Sequence, residues 1–343
     1  MVPSNRWSRG LQTERQQALL TWVAAALAVT SPVLEPASAD ASFRRYFRTS
    51  AAGRSYVVMD APPTQEDCRP FVRVAGLLRE AGVHVPEILA QDLGRGFLLL
   101  EDLGTRTYLE LFKAGDADAD VLFGDALGAL ILWQRASRPG VLPPYDRALL
   151  HRELMLYPDW YVTRHLKLEL SAMELGVLQD AFKLLEDSAL GQPQLYVHRD
   201  YMPRNLMQST PNPGVLDFQD AVYGPLTYDV ASLFKDAFLS WPEEQVLAWR
   251  LGYRERALKA GLPMPEPKEF ERACDWMGMQ RHFKVMGIFA RIHYRDGKSH
   301  YLEDTQRFLT YLRHTGSLYK EFTPLLRLLD SLEKRVDQQV LEA

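Results

Sequence analysis

The stretch Val197-His198-Arg199-Asp200-Tyr201-Met202-Pro203-Arg204-Asn205, followed by Val215-Leu216-Asp217-Phe218, holds the donor types that phosphoryl transfer uses. In that reaction a protein does little covalent chemistry; it positions the reactants and neutralises phosphate oxygens. One carboxylate must stand beside the nucleophilic hydroxyl. Oxygen ligands must also hold magnesium, a hard cation that takes carboxylate and amide oxygens. Asp200, in a loop just after a strand, suits the first task, and Asn205 and Asp217 suit the second. The turn Thr210-Pro211-Asn212-Pro213-Gly214 predicts a hairpin that sets Asn205 and Asp217 face to face. Taken singly, each residue reads as an ordinary cap or turn residue. The joint pattern of acid, amide, turn and apolar-flanked Asp-Phe points to a metal-assisted transfer site.

The rest of the chain must supply the frame. Its 343 residues suit two lobes sharing an interface, and 47% apolar with 24% charged residues is a globular profile. A net charge of −4 gives no footing for a nucleic acid or an anionic membrane surface. Two cysteines, Cys68 and Cys274, form neither a disulfide framework nor a metal site and fit a reducing, cytoplasmic setting. Nothing in the sequence calls for an obligate protein partner; a small molecule is the expected one. Residues 19–29 are apolar at helical spacing, which predicts a packed amphipathic helix and not a secretory leader. Residues 31–39 read as a loop, 45–49 and 55–60 as a hairpin turning at Gly53, and 66–81 as a helix. Strands follow over 85–89 and 96–100. Beyond residue 104 helical periodicity dominates, with helices over 121–135, 147–170 and 173–188 and a β insertion over 195–218. The organisation expected is α+β: a β-rich N-terminal lobe over 1–100, a hinge over 101–104, and a larger helical lobe over 105–343.

With these residues in view a family resemblance emerges. His198-Arg199-Asp200, Asn205 and Asp217-Phe218-Gln219 resemble the core of protein-kinase-like enzymes, and Gly224-Pro225-Leu226-Thr227-Tyr228-Asp229-Val230-Ala231 is similar to the aminoglycoside phosphotransferase branch. The resemblance implies a two-lobe kinase-like fold with an antiparallel N-terminal sheet, ATP and Mg2+ as cofactors, Asp200 as the base, and Asn205 and Asp217 as metal ligands. It also implies that His198 and Asp229 support the catalytic loop. Ser42, Phe43, Arg44 and Arg45 would belong to a phosphate-covering hairpin, and backbone groups of Glu101 and Leu103 would meet the adenine edge. One departure stands out: Met59 occupies the strand position where the family places a phosphate-gripping lysine, and the following helix offers no inward acid before Glu80. Arg44, Arg45 and Arg48 are the nearest replacements for the missing charge.

A narrower similarity, carried by Ala41-Ser42-Phe43-Arg44-Arg45-Tyr46, Met59-Asp60-Ala61-Pro62-Pro63 and residues 280–298, is to the anomeric amino-sugar kinases of bacterial cell-wall recycling. In that group the lysine-free strand is normal. The resemblance implies phosphorylation of N-acetylmuramate and N-acetylglucosamine at C1. Arg281, Lys284, Arg291 and Arg295 share one side of a helix, and arginine matches a lactyl carboxylate bidentately, so Arg281 and Lys284 become candidate substrate contacts. The alternative for this stripe is a solvated face or ion pairs with acids of a neighbouring helix. Alternative acceptors are an aminoglycoside, choline, homoserine or a fructosamine; a pseudokinase is the alternative of another class.

Overall fold

The structure, a computed structural model, describes residues 6–38, 43–297, 302 and 305–342. Two compact units are formed, Met1–Arg106 with Met207–Asp220, and Thr107–Leu206 with Ala221–Ala343. The sequence reading placed all of 105–343 in one lobe; the structure instead gathers 207–220, including Asp217, into the first unit.

The first unit is built on an antiparallel sheet of β1 (Glu35–Ser38), β2 (Arg45–Ala51), β3 (Arg54–Asp60), β4 (Ile88–Asp92) and β5 (Phe97–Glu101), in the order β1-β2-β3-β5-β4. Its helix α1 (Arg6–Leu27) lays Leu19 and Val23 against Val58, Phe97 and Leu99, the apolar face that its spacing foretold. Because strand side chains alternate, Met59 points away from the face that Val58 presents, yet it too is fully buried. β1 was expected as loop; Pro36 obscures it, and an edge strand tolerates a residue without an N–H. The helix α2 (Arg69–Glu80) starts later than its periodicity suggests, with Pro70 in its first turn, where a missing N–H costs nothing. It buries Phe71, Val74, Ala75 and Leu78. Residues 207–220 are tied to this unit by hydrogen bonds from Gln208 N to Arg106 O (2.9 Å) and from Val215 N to His84 O (2.8 Å).

The second unit is mostly helical: α3 (Tyr108–Ala114), α4 (Ala119–Arg135), α5 (Arg147–Leu154), α6 (Ala172–Gly191), α7 (Tyr228–Phe234), α8 (Glu243–Lys259), α9 (Pro267–Asp296), α10 (Thr305–Ser317) and α11 (Thr323–Glu342). The single helix expected over 147–170 is broken. A π-helical segment, Tyr157–His165, follows α5, with Pro158 denying the ladder a donor and Lys167 at φ 56° ending it. The 30-residue α9 runs through the core, where Phe283 and Met286 meet Tyr157, Phe182 and Leu312. Gly287 makes this approach possible: a Cβ there would lie 2.3 Å from the carbonyl carbon of Leu156. The strand β6 (Gln194–Val197) pairs antiparallel with β9 (Val222–Pro225), which the sequence reading missed because Gly224-Pro225 resembles a turn. The hairpin expected between Asn205 and Asp217 shrinks to β7 (Leu206–Met207) and β8 (Gly214–Val215), two residues each. Neither Asn205 nor Asp217 lies in a strand.

Among the described residues no helix is long and apolar enough to cross a membrane.

Candidate active site

In the second unit, β6 delivers the chain into the loop that carries Asp200. Val197 pairs with Val222, and immediately beyond it the backbone N–H groups of His198 and Arg199 donate to the two carboxylate oxygens of Asp229, at 2.7 and 3.0 Å. Asp229 sits in the first turn of α7 and is fully buried. Burial pushes its carboxyl up to about 7, against the pull of those two N–H donors. Arg199 adopts φ 77°, a left-handed conformation that costs an ordinary residue about 1–2 kcal/mol and persists only where surroundings impose it. The loop closes on itself. The N–H of Asp200 donates to His198 Nδ1 (3.3 Å), and Asn205 Nδ2 donates to the Asp200 carbonyl (2.9 Å). The hydroxyl of Tyr201 anchors the loop to the Ala126 carbonyl at 2.7 Å. Spending Nδ2 on Asp200 fixes the amide of Asn205, so that Oδ1 is the end that can act as a hard oxygen donor.

Behind the loop lies an ion cluster that sequence reasoning did not find. Glu153 of α5, buried, receives the Arg199 guanidinium, the Tyr145 hydroxyl and the Lys284 ammonium, the last at 3.2 Å. Burial opposes the charge on Glu153, but Lys284 and Arg199 outweigh it and hold the carboxyl below its ordinary value. Burial likewise opposes the Arg199 and Lys284 charges, and Glu153 raises both above their ordinary values. Lys284 also donates to the Tyr228 hydroxyl at 2.8 Å. Lys284, expected as a substrate contact, is therefore spent on an acid of a neighbouring helix. Of the remaining stripe, Arg295 pairs with Asp296 on the surface. Arg281 is buried over the Tyr228 ring at 5.2 Å, and its Nε has no hydrogen-bond partner. The stripe is thus divided, with Arg281 and Lys284 internal and Arg295 on the surface.

In the first unit, Asp217 follows β8 with φ 63° and accepts from Gln219 Nε2 at 2.8 Å. Phe218 packs against Phe71 of α2, ring centroids 4.7 Å apart. Arg45 is paired with the buried Asp60, which also takes Arg15 Nε at 2.9 Å. Arg48 is held by Asp102 (2.6 Å) and the Gly104 carbonyl (2.9 Å). Arg44 pairs with Glu66 at 3.0 Å. Met59 lies between Tyr46 and Leu98 on the flanking strands and reaches no solvent. Phe43 is exposed, and Ser42 lies outside the described residues. The Glu101 N–H, one of the groups expected at the adenine edge, is already bonded to the Glu87 carbonyl at 2.9 Å; Leu103 is buried. Neither Glu66 nor Glu153 had a local signal. Glu66 precedes its helix, and Glu153 is one acid among several polar residues of α5.

Among the described residues no cluster of three His, Cys, Asp or Glu side chains is assembled for a metal. Asn205 carries an amide oxygen and Asp217 a carboxylate oxygen, each a hard donor of the type magnesium takes.

Residues 33–270 match the phosphotransferase enzyme family. The N-acetylmuramate/N-acetylglucosamine kinase of Pseudomonas aeruginosa is 59% identical over 300 residues, covering 87% of this chain and 88% of that protein. The kinase of the same name from Neisseria meningitidis is 46% identical over 323 residues, 93% of this chain and 96% of that protein. Among solved structures, a choline kinase of Streptococcus pneumoniae superimposes with TM-score 0.59 at 14% identity, covering 88% of this chain and 99% of that one. An ADP-bound aminoglycoside phosphotransferase gives TM-score 0.58 at 15% identity, covering 86% and 97%. These likenesses establish a protein-kinase-like fold. The chain belongs to the phosphotransferase enzyme family, whose kinases in general use ATP with a divalent metal.

Proposed function

We propose that this member of the phosphotransferase family is an ATP- and magnesium-dependent kinase of the anomeric C1 hydroxyl of N-acetylmuramate and N-acetylglucosamine. The observation that carries the acceptor is the 59% identity, across 87% of the chain, to a kinase named for those two sugars. The hydrogen-bonded set Asp229, His198, Arg199 and Asp200 supports the chemistry, because it fixes a carboxylate on a loop whose backbone is bonded at both ends.

Asp200 accepts the proton of the C1 hydroxyl as that oxygen forms its bond to the γ-phosphorus; the bond from phosphorus to the ADP oxygen breaks, and ADP leaves with the electron pair. The anomeric hydroxyl of a reducing sugar is more acidic than an ordinary alcohol, so the demand on Asp200 is modest. Asn205, through Oδ1, and Asp217 are the proposed magnesium ligands. Magnesium, when bound, supplies neutralisation of charge on the phosphate oxygens. His198 and Asp229 hold the loop. Arg281 remains the proposed contact for the lactyl carboxylate, and Lys284 now supports the loop through Glu153. The product would be a sugar 1-phosphate made in the cytoplasm, the form that a nucleotidyltransferase converts to a nucleotide sugar in cell-wall recycling.

Phosphorus NMR of the product from N-acetylmuramate and ATP-Mg tests the reading. A phosphate coupled to the anomeric proton is expected, with the methyl glycosides of both sugars inert. Turnover of a methyl glycoside, or coupling to C6, refutes the anomeric assignment.

A further inference from the structure

We infer that Arg44 is the cation that grips the ATP phosphates in this chain, and that Glu66 is the residue that positions it. The inference rests on the kinase reading above, because it presumes a bound nucleotide triphosphate.

The argument begins with a deficit. A kinase needs a fixed protein cation against the polyphosphate, commonly a strand lysine paired with a helix glutamate. Here the third strand offers Met59, buried on the sheet between Tyr46 and Leu98, and no cation can emerge from that position. Three arginines of the first hairpin were candidates, and the structure separates them. Arg45 is committed to the buried Asp60, which also pairs with Arg15. Arg48 is committed to Asp102 and the Gly104 carbonyl, so it braces the segment after β5. Both serve the architecture of the sheet.

Arg44 is placed differently. It stands just before β2, at the base of the hairpin, and its guanidinium meets Glu66 at 3.0 Å with side chains only 10% and 16% exposed. Glu66 simultaneously accepts the N–H of Phe43 (3.3 Å), so one carboxylate fixes both the backbone and the side chain at the entry to the strand. Asp217 and Asp220 also act on the Arg44 charge. Burial works against the Arg44 charge, but Tyr46, Glu66, Asp220 and Asp217 together hold it above its ordinary value. The packing of Phe71 on Phe218 brings the Asp217 segment and α2 together within the same unit. The proposed metal carboxylate and the guanidinium therefore share one local field. A cation in the field of the proposed metal carboxylate and paired with Glu66 at 3.0 Å repeats the chemistry of a lysine–glutamate pair while drawing both members from other places in the chain. Arginine adds a planar fork that matches phosphate oxygens bidentately. A purely structural ion pair is the competing account, and it predicts no dependence on phosphate.

The test compares nucleotide affinities within each variant, which separates phosphate recognition from folding. Dissociation constants of ATP-Mg and of adenosine are measured by calorimetry for the wild type, Arg44→Lys and Arg44→Gln. The ratio of adenosine to ATP constants is expected to fall by about 10- to 100-fold in Arg44→Gln, the loss of a charge-assisted hydrogen bond. Arg44→Lys, which keeps the charge and loses the fork, is expected to fall by less than about tenfold. Glu66→Gln is expected to lower kcat with a smaller change in that ratio, because the cation stays but its orientation loosens. A ratio in Arg44→Gln within about twofold of the wild type overturns the inference. Wild-type enzyme that binds ATP but phosphorylates no amino sugar would instead count against the acceptor reading and leave this one standing.

Discussion

Replacing Glu153 by glutamine isolates the cluster behind the catalytic loop. The side chain keeps its shape and loses its charge, so the buried Lys284 and the half-buried Arg199 lose the carboxylate they share. At 3.2 Å and an effective dielectric near 20, the Lys284 contact alone has a gross Coulomb energy of about 5 kcal/mol. Much of this is already spent on desolvating the ions. Breaking one partner of such a buried pair costs about 3–5 kcal/mol when the remaining charge is stranded, and the amide oxygen recovers part of it. A loss of about 2–4 kcal/mol is therefore expected in urea unfolding at pH 7. Lys284→Met restores balance on one side, so the double variant should be more stable than additivity predicts by at least about 1.5 kcal/mol. The pH dependence has a fixed sign. Glu153 is held below its ordinary value in the fold, so its contribution is present above the unfolded carboxyl value and is lost as the pH falls through the lower folded one. The gap between wild type and Glu153→Gln should accordingly be full at neutral pH and close in acid. Catalysis should suffer as well, because Arg199, at φ 77°, adjoins Asp200. A Glu153→Gln enzyme within about 0.5 kcal/mol of the wild type, with unchanged kcat, would refute the reasoning.

Asp200→Asn should lower kcat by about 10²–10⁴ while ATP affinity stays near the wild-type value, and retention of more than half the rate in a coupled ADP assay would remove Asp200 from the base role. Asp217→Ala should nearly abolish turnover and raise the magnesium requirement, with Asn205→Ala milder because a neutral amide oxygen contributes less field. Unchanged magnesium titration in Asp217→Ala would break that pairing.

Local chemistry was legible in the chain wherever it was written contiguously. The fold class, the kinase-like core and the family were readable because loop, amide and second acid fall within one short stretch, and because the hairpin turn at Gly53 and the apolar face of α1 follow elementary periodicities. What escaped was mostly set by prolines and by distance. Pro36 hid β1, Pro86 delayed β4, and Pro158 divided a helix that periodicity alone would continue. The allegiance of residues 207–220 escaped for another reason. Backbone bonds to His84 and Arg106 decide it, and such bonds leave no trace in side-chain pattern.

The basic helix shows why charge periodicity misleads most near a functional loop. Spacing puts Arg281, Lys284, Arg291 and Arg295 near one another on α9, and a solvated or ligand-facing stripe is what such spacing ordinarily means. In this chain much of α9 is core, so Arg281 and Lys284 face other protein while Arg295, near its end, is exposed. Lys284 is neutralised by Glu153 of α5, far away in sequence, and that pairing in turn secures Arg199 beside Asp200. A lysine that a sequence assigns to the substrate is thus found paired with an acid behind the loop. The same logic runs in reverse at Met59: the position that sequence marks as deficient is sound core packing, and the cation proposed in its place, Arg44, is paired with an acid that precedes its helix. Charges in a phosphoryl-transfer site are constrained by where they arrive and not by which element carries them, so their chain positions can drift while the field is preserved.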